Sequence, residues 1–276
     1  MNIVWFVSGL VHAHGTVSSG KASTRLRCLQ PLAGIGELHQ HLRARLCDPR
    51  DGHRFDCSWL DDTDLILFGK IPSGSSLPRG LLEQRHIPVL VDVCDDPFCR
   101  PEMRALYREL MPQADRIVAA SHHLAGKIAA AVDCPVQVIG DHGEFHGQAL
   151  AYPTRPGAGL SLCWYGDPLN IDALFTQLNG LKRLPFACIT IHVVTRLSAE
   201  VRHKIGRAEA AMVGRIRLIA TEWSPQHLVE AVALSHIAII PVAGQEWALS
   251  KTANRLMTAI QLNHPCVAGC ILSYRE

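Results

Sequence analysis

The chain has 276 residues, a nearly balanced net charge of +2 and 48% hydrophobic residues. This length supports two domains of roughly 100 to 150 residues, each with a core of its own. The balanced charge lacks the clustered basic excess of a nucleic-acid-binding protein and excludes that function class.

The ten cysteines are scattered, form no CxxC pair, and in several cases lie inside apolar runs. We therefore expect reduced, mostly buried thiols in a cytoplasmic protein. The N-terminus, MNIVWFVSGL, has no basic segment before its apolar run, so it predicts a first β-strand and no signal peptide. No apolar run reaches the roughly 18 residues of a membrane-spanning helix, which leaves peripheral membrane contact open.

Short apolar runs that are typical of buried strands alternate with helical patterns along the chain. Before residue 152, strands are predicted at 2–8, 64–68, 88–93, 116–120 and 135–139, and helices at 101–112 and 121–131, the latter with Ser121 as N-cap. Residues 152–159, YPTRPGAG, have the composition of a linker. After the linker, strands are predicted at 160–165, 187–195, 215–220, 237–241 and 265–268, and helices at 170–181, 198–212, 225–235 and 251–262.

Continuously apolar strands separated by helices indicate parallel sheets covered on both faces. The sequence therefore predicts an α/β protein with two Rossmann-like domains, at 1–151 and 160–276. Ligands of such sheets bind at the carboxyl ends of the strands, so we expect the site in the cleft between the two domains.

The stretch 250–268, SKTANRLMTAIQLNHPCVA, holds the most informative pattern. In a helix over 251–262 capped by Ser250, one face would carry Lys251, Asn254, Arg255 and Thr258, and an apolar face would carry Ala253, Leu256, Met257 and Ile260. The N-terminus of this helix would lie at the carboxyl end of the sheet, where free amides, the helix dipole and two cations favour a diphosphate. An ordinary solvated polar face would give the same pattern.

The stretch 164–170, WYGDPLN, predicts a strand end, a glycine turn and a helix start. Gly166 would let the backbone approach a ligand closely, beside Asp167 and Asn170. A simple strand-to-helix turn capped by Asp167 or Asn170 also explains these residues.

Three carboxylates, Asp92, Asp95 and Asp96, lie at the end of the strand predicted at 88–93. They fit ligands of a divalent metal or a base that takes a proton from a hydroxyl. Acids that cap the helix at 101–112 would give the same pattern.

The loop 8–24 is rich in Gly and Ser and contains His12 and His14, and Arg25 and Arg27 follow it. A long polar loop after the first strand fits substrate contact, and a histidine there is a candidate general base. No third ligand lies in range of the two histidines, so we do not expect a metal site.

Several segments resemble, in chain order, those of GT-B glycosyltransferases related to family 4. The run 114–132, ADRIVAASHHLAGKIAAAV, is similar to the end of their N-terminal domain, and 136–144, VQVIGDHGE, to the stretch that leads into their linker. The opening of their C-terminal domain resembles 161–170, and their "K-x-x-x-[KR]-l-x-E-x-x-x-x-G-x-P-V-V-A" segment resembles 251–268. The resemblance implies a GT-B fold, a nucleotide-diphosphate-sugar donor bound mainly by the second domain, and an acceptor bound mainly by the first. It also implies catalysis without a metal or other cofactor, and retention at the anomeric carbon.

The chain departs from the family pattern at several positions. Ser250 and Thr258 stand where the family has two glutamates, and Asn263 stands where a glycine is usual. The chain ends at 276, where family members continue with further helices. We therefore expect a shortened, minimal or degenerate member whose donor recognition differs in detail or is weakened.

These features predict a glycosyltransferase that moves a sugar from a nucleotide sugar to a hydroxyl of a glycan, a lipid-linked or a small-molecule acceptor. The expected donor-binding residues are Gly166, Asp167, Asn170, Ser250, Lys251, Asn254, Arg255 and Thr258. If the enzyme inverts, the candidate catalytic residues are His12, His14, Asp95 and Asp96. The alternatives are a non-catalytic nucleotide-sugar-binding protein, a metal-dependent transferase built on Asp95 and Asp96, and an α/β protein that binds a ligand other than a sugar nucleotide.

Overall fold

The computed structural model describes residues 1–275 except 14, 51–56, 72–80, 82–85, 100, 213, 243 and 245, and it does not describe the side chains of Cys57, Glu102, Glu246 and Trp247. The chain forms two compact units. The first comprises Met1–His142 with Ser250–Thr252, and the second comprises Gly143–Leu249 with Ala253–Arg275. The units divide upstream of the predicted linker, and the last residue of that linker, Gly159, opens a strand.

The first unit is built on a six-stranded parallel sheet with the strand order β4-β1-β5-β6-β7-β8. Its strands are β1 (Asn2–Phe6), β4 (Arg43–Cys47), β5 (Leu65–Phe68), β6 (Val89–Val93), β7 (Arg116–Ala119) and β8 (Val136–Val138). The central strands are almost fully buried, which explains their continuous apolar runs.

Edge strand β4 was not predicted from the sequence. Its residues, RARLC, alternate between exposed and half-buried positions until Cys47, which is buried. A half-exposed edge strand carries polar residues on one face, so it lacks the apolar run that marked the central strands.

The segment after β1 holds more regular structure than the long polar loop predicted at 8–24. Strands β2 (Val11–Ala13) and β3 (Thr16–Ser18) pair as an exposed antiparallel hairpin. A short helix α1 (Ala22–Thr24) then runs through a π-helical turn at Arg25–Leu29 into helix α2 (Gln30–Leu38).

Two further helices of the first unit follow the sequence pattern closely. Helix α3 spans Pro101–Leu110, and α4 spans His122–Ala129. The prediction that Ser121 caps α4 is confirmed, because its side chain accepts a hydrogen bond from the amide of Leu124. Leu124 and Ile128 turn the same helix face into the core.

The second unit is built on a five-stranded parallel sheet with the strand order β11-β10-β9-β12-β13. Its strands are β9 (Gly159–Tyr165), β10 (Cys188–Thr195), β11 (Ile216–Glu222), β12 (Ile237–Ile240) and β13 (Cys266–Ala268). Its helices are α5 (Ile171–Phe175), α6 (Leu178–Leu181), α7 (Ala199–Ala210), α8 (Pro225–Ala233), α9 (Glu246–Leu249) and α10 (Asn254–Gln261). The predicted α/β class with two parallel sheets is confirmed.

Helix α10 corrects the prediction of a helix over 251–262 capped by Ser250. The helix begins at Asn254 after Ala253, which provides no side-chain cap. The buried face also differs, because Ala259 and Leu262 are fully buried while Ile260 is 57% exposed. The inner face of α10 is therefore formed by Arg255, Ala259 and Leu262, which are three or four residues apart in the sequence.

Every cysteine whose side chain is described is a free thiol. Of the nine cysteines whose side chains are described, four are buried, Cys28, Cys47, Cys94 and Cys163, so the expectation that most of the thiols are buried is wrong. Within the described residues, no helix is both long and apolar enough to cross a bilayer.

Candidate functional site

Asp95 lies just beyond β6 and is held between two lysines. Lys70, just beyond the neighbouring strand β5, is ion-paired with one of its carboxylate oxygens. Lys251 binds the other oxygen, with 3.2 Å between Nζ and Oδ1. Carboxyl ends of adjacent parallel strands meet at one edge of the sheet, which explains the pairing with Lys70.

Asp96 is more deeply buried, with a carboxylate that is 1% exposed. It accepts a hydrogen bond from Lys127 at 2.7 Å and one from the amide of Phe98 at 2.9 Å. The hydroxyl of Ser250 lies 3.4 Å from Oδ2, the same oxygen that accepts from Lys127. The structure thus brings Ser250 and Lys251, both expected at the donor, onto the two aspartates expected to be catalytic.

These lysines determine the acidity of both aspartates. Burial on its own would raise the pKa of Asp95, but the charges of Lys251 and Lys70 outweigh it and hold that pKa well below its usual range. Burial would also raise the pKa of Asp96, but the hydrogen bond and charge of Lys127 outweigh it, so that pKa is lowered. A carboxylate with a depressed pKa is a weak base. A metal ion at this position would have to displace lysines, and among the described residues no three His, Cys, Asp or Glu side chains are grouped to hold one.

Asp92 belongs to a separate network, since it lies within β6 and faces Arg27 of the π-helical turn. Arg27 donates through Nε to Asp92 at 2.8 Å and through Nη1 to Asp141 at 2.8 Å, and the three side chains are 4–8% exposed. Burial alone would lower the pKa of Arg27, but Asp92 and Asp141 raise it. The structure therefore divides the three carboxylates that the sequence placed together.

The two candidate histidines lie elsewhere on the first unit or outside the described residues. His12 is on β2 in the exposed hairpin, where it lines a groove together with Val17 and Leu29. His14 lies outside the described residues.

In the second unit, Gly166 and Arg255 lie side by side at the carboxyl end of β9. A Cβ placed on Gly166 would be 3.5 Å from Cδ and 3.6 Å from Nη1 of Arg255. The hydroxyl of Tyr165 donates to the Arg255 carbonyl at 2.8 Å, and Thr195 donates to the Gly166 carbonyl at 2.8 Å. The first bond ties the end of β9 to the first turn of α10, and the second ties the glycine turn to the end of β10.

Nη1 of Arg255 is buried and has no hydrogen-bond partner among the described residues. An unpaired guanidinium donor in a buried position is costly, and native structures rarely leave one without a reason. Its position beside a glycine at a strand end fits an anionic ligand that supplies the missing acceptor.

Asp167 caps the turn at Pro168–Asn170 by accepting from the amide of Leu169 at 3.0 Å. It also pairs with Arg196, whose Nη2 lies 2.7 Å from Oδ2, on a largely exposed surface. Asn170 precedes α5 and makes no side-chain cap bond. The capping interpretation thus holds for Asp167.

The predicted polar face of the last long helix is only partly present. Asn254, Arg255 and Thr258 lie on α10, but Lys251 lies before it and belongs to the first unit. The hydroxyl of Thr258 donates to the carbonyl of Asn254 at 2.9 Å, so this group is already used within the helix.

Three basic residues of these sites, Lys70, Lys127 and Arg196, were not identified from the sequence, and Arg27 was noted only as following the loop 8–24. Lys70 and Arg196 follow the predicted strands 64–68 and 187–195 closely. Their position at strand ends was a usable signal. Arg27 and Lys127 lie on helices, and only the packing of those helices reveals their partners.

No protein-family model matches the chain, and no curated protein matches it. Solved structures do match its fold. WaaB, described as a lipopolysaccharide outer core galactosyltransferase in its apo form, is 12% identical with a TM-score of 0.63, over 100% of this chain and 82% of that one. Anabaena Alr3699/HepE in complex with UDP-glucose is 14% identical with a TM-score of 0.55, over 100% and 82%.

The apo structure of OtsA is 10% identical with a TM-score of 0.55, over 91% of this chain and 81% of that one. At such identities the likeness concerns the fold, and the assignment to family 4 stays a prediction. The two parallel α/β units and these matches show that the chain has the two-Rossmann-domain GT-B fold.

Proposed function

We propose that the protein is a glycosyltransferase that moves a sugar from a nucleotide-diphosphate sugar to an acceptor hydroxyl. The donor diphosphate binds the second unit beside Gly166 and Arg255. The match to a structure described as a complex with UDP-glucose supports a donor of this class.

The unpaired Nη1 of Arg255 is the observation that carries this proposal. Arg255 is the only one of the expected donor-binding side chains with a buried donor atom that lacks a partner among the described residues. A phosphate oxygen would satisfy it with a charge-assisted hydrogen bond. Gly166 leaves room for the phosphate, since a side chain there would point at the guanidinium.

The reaction would break the bond between the anomeric carbon and the phosphate oxygen and join that carbon to the acceptor oxygen. Negative charge grows on the departing diphosphate, where Arg255 stabilises it. We propose retention, in which the acceptor proton passes to an oxygen of that diphosphate. This route requires no side-chain base, in keeping with the low basicity of Asp95 and Asp96.

We also propose that the reaction uses no metal and that the acceptor, a glycan, lipid-linked or small molecule, binds the first unit. In this proposal Arg255 provides the positive charge that a metal would otherwise supply. Free thiols at all described cysteines accord with a cytoplasmic enzyme, because reduced cysteines persist in that compartment.

A non-catalytic nucleotide-sugar-binding protein is the second candidate function. It is favoured by Ser250 and Thr258, which stand where the resembling family has two glutamates, and by the Thr258 hydroxyl, which is already bonded to the Asn254 carbonyl. Binding without sugar transfer or donor hydrolysis would identify this case.

The test is calorimetric titration of the protein with UDP, GDP, ADP and their glucose conjugates, with and without EDTA. One nucleotide should bind, with or without EDTA, and Arg255→Ala should weaken it roughly 10- to 100-fold, the value of a charged hydrogen bond of about 1.5–3 kcal/mol. Arg202→Ala, which removes an exposed arginine of α7 in the same unit, is the matched control and should leave affinity unchanged.

Equal affinity of Arg255→Ala and the wild-type protein would refute the donor site. Loss of binding on addition of EDTA would refute metal independence. Binding of no nucleotide at all would refute the proposed function.

A further inference from the structure

Tyr165, the last residue of β9, and Gly166 after it contact the two ends of Arg255. The Tyr165 hydroxyl donates a hydrogen bond to the main-chain carbonyl of Arg255 at 2.8 Å. Gly166 lies against the side chain, since a Cβ placed on it would be 3.5 Å from Cδ and 3.6 Å from Nη1. One strand end thus meets both the backbone and the guanidinium of the same arginine.

Packing alone does not explain the hydroxyl of Tyr165. This residue is 4% exposed, and its ring lies in an apolar cluster of the second unit, where a phenylalanine would fill the same space. Other members of that cluster are Phe145, Val194, Ala259 and Leu262. A buried hydroxyl costs free energy unless it is hydrogen-bonded, so attention turns to the carbonyl that it binds.

That carbonyl does not need the hydroxyl as its hydrogen-bond partner. Arg255 is the second residue of α10, so its carbonyl is in place to accept from the amide of Ala259, four residues on. Burial raises the pKa of Tyr165 well above its usual range, so the hydroxyl keeps its proton and adds a second bond to the carbonyl. The added bond therefore holds the helix turn in position.

The first turn of α10 has little else to hold it. The helix begins after Ala253, which provides no side-chain cap, and its first turn contains no acidic residue. Helix ends fray more readily without these groups, and a frayed turn would let the Arg255 guanidinium move away from Gly166. The buried hydroxyl takes the place of the missing cap.

We propose that Tyr165 is a positioning residue of the donor site, whose hydroxyl holds the first turn of α10 so that the Arg255 guanidinium faces the ligand beside Gly166. The role of Tyr165 rests on the proposed function, because it acts through the arginine assigned to the donor diphosphate. A guanidinium that is already held in place loses less conformational freedom when the phosphate binds, and affinity is higher for that reason.

The test is calorimetric titration with whichever of UDP, GDP and ADP binds the wild-type protein. Tyr165→Phe keeps the ring and should weaken that binding about 3- to 10-fold, the factor that corresponds to one hydrogen bond between uncharged groups. Tyr107→Phe is the matched control, because it removes a buried tyrosine hydroxyl of the first unit that bonds to the Ile71 backbone. It should leave nucleotide affinity unchanged, and both variants should lower the unfolding midpoint by only about 2–4 °C.

A double-variant comparison separates positioning from a general loss of structure. In Arg255→Ala the guanidinium is absent, so adding Tyr165→Phe should change nucleotide affinity less than about twofold. An equal loss in both backgrounds, or no loss in the wild-type background, would overturn the role of Tyr165.

These outcomes differ from a failure of the proposed function. If no nucleotide binds, or if Arg255→Ala binds like the wild type, the donor site and the role of Tyr165 fall together. If Arg255→Ala weakens binding and Tyr165→Phe does not, only the role of Tyr165 falls.

Discussion

Arg27 has an environment unlike that of an ordinary surface arginine. It lies on a π-helical turn and bridges Asp92 of β6 and Asp141 beyond β8, with a side chain that is 7% exposed. Its Nη1 also donates to the carbonyl of Ile139 at 2.9 Å. π-helical turns are uncommon and often mark positions where a side chain must be aimed, and here the turn carries the guanidinium that ties two strands together.

Arg27→Ala should destabilise the protein by about 3–5 kcal/mol, because it leaves two buried carboxylates without their partner. Denaturant unfolding near neutral pH measures this change. Burial already raises the pKa of Asp92, and without Arg27 this group should take up a proton on mild acidification. The destabilisation should therefore be smaller near pH 5 than near pH 7.

Arg45→Ala is the matched control, since it breaks another arginine–aspartate pair of the same unit, with Asp62, whose side chains are 42% and 54% exposed. Exposed pairs contribute little to stability, so its unfolding midpoint should stay near that of the wild type. Similar losses in the two variants would contradict the role assigned to burial.

Asp95 and Asp96 show which part of a site the sequence can predict. Their position at the end of an apolar strand was predictable from the sequence, because the functional polar residues of parallel sheets lie at the carboxyl ends of the strands. Lys70 carries the same strand-end signal, but its pairing with Asp95 depends on the strand order, and Lys251 is too distant in sequence for its pairing to be predicted. The same holds for Arg255, whose unpaired donor depends on which face of α10 is buried.

At the scale of elements, the buried strands and most helix starts were predicted to within one or two residues, whereas the start of α10 was predicted three residues too early. A continuous apolar run is set by burial on both faces, so its ends coincide with the strand ends. The start of α10 was placed too early because Ser250 looks like an N-cap in sequence. Its hydroxyl instead lies near Asp96, and the helix begins only at Asn254.

Ser121 illustrates a cap for which sequence and structure agree. Ser121→Ala removes the acceptor for the Leu124 amide and should lower the free energy of unfolding by about 1 kcal/mol, whereas Ser121→Gly should cost only a few tenths. Urea unfolding of the two variants checks this. A loss for glycine as large as that for alanine would show that the cost comes from packing, because this serine is 2% exposed.

At the scale of the whole molecule, each unit has its own sheet and its own hydrophobic core. The two-domain organisation was predictable because apolar runs and helical patterns recur on both sides of a proline- and glycine-rich stretch. Ser250–Thr252 belong to the first unit although the residues before and after them belong to the second. This assignment was not predictable, because local sequence carries no signal for it.

The two units contain different groups that respond to acid. In the second unit, burial lowers the pKa of His192, and burial together with the nearby charge of His236 lowers the pKa of His264. In the first unit, lysine partners overcome burial and lower the pKa values of Asp95 and Asp96. In all four groups the folded state binds protons less readily than the unfolded state, so each contributes stability that is lost as the pH falls.

The windows of these losses differ because the unfolded-state pKa values differ. The histidine contribution is complete above about pH 6.5 and declines below it, whereas the aspartate contribution declines only below about pH 4. Urea unfolding midpoints should therefore fall in two steps. His264→Gln should reduce the first step, and His203→Gln, at an exposed position of α7, should not. If the wild type and His264→Gln lost equal stability between about pH 7 and pH 5, burial of His264 would not be the cause of the first step.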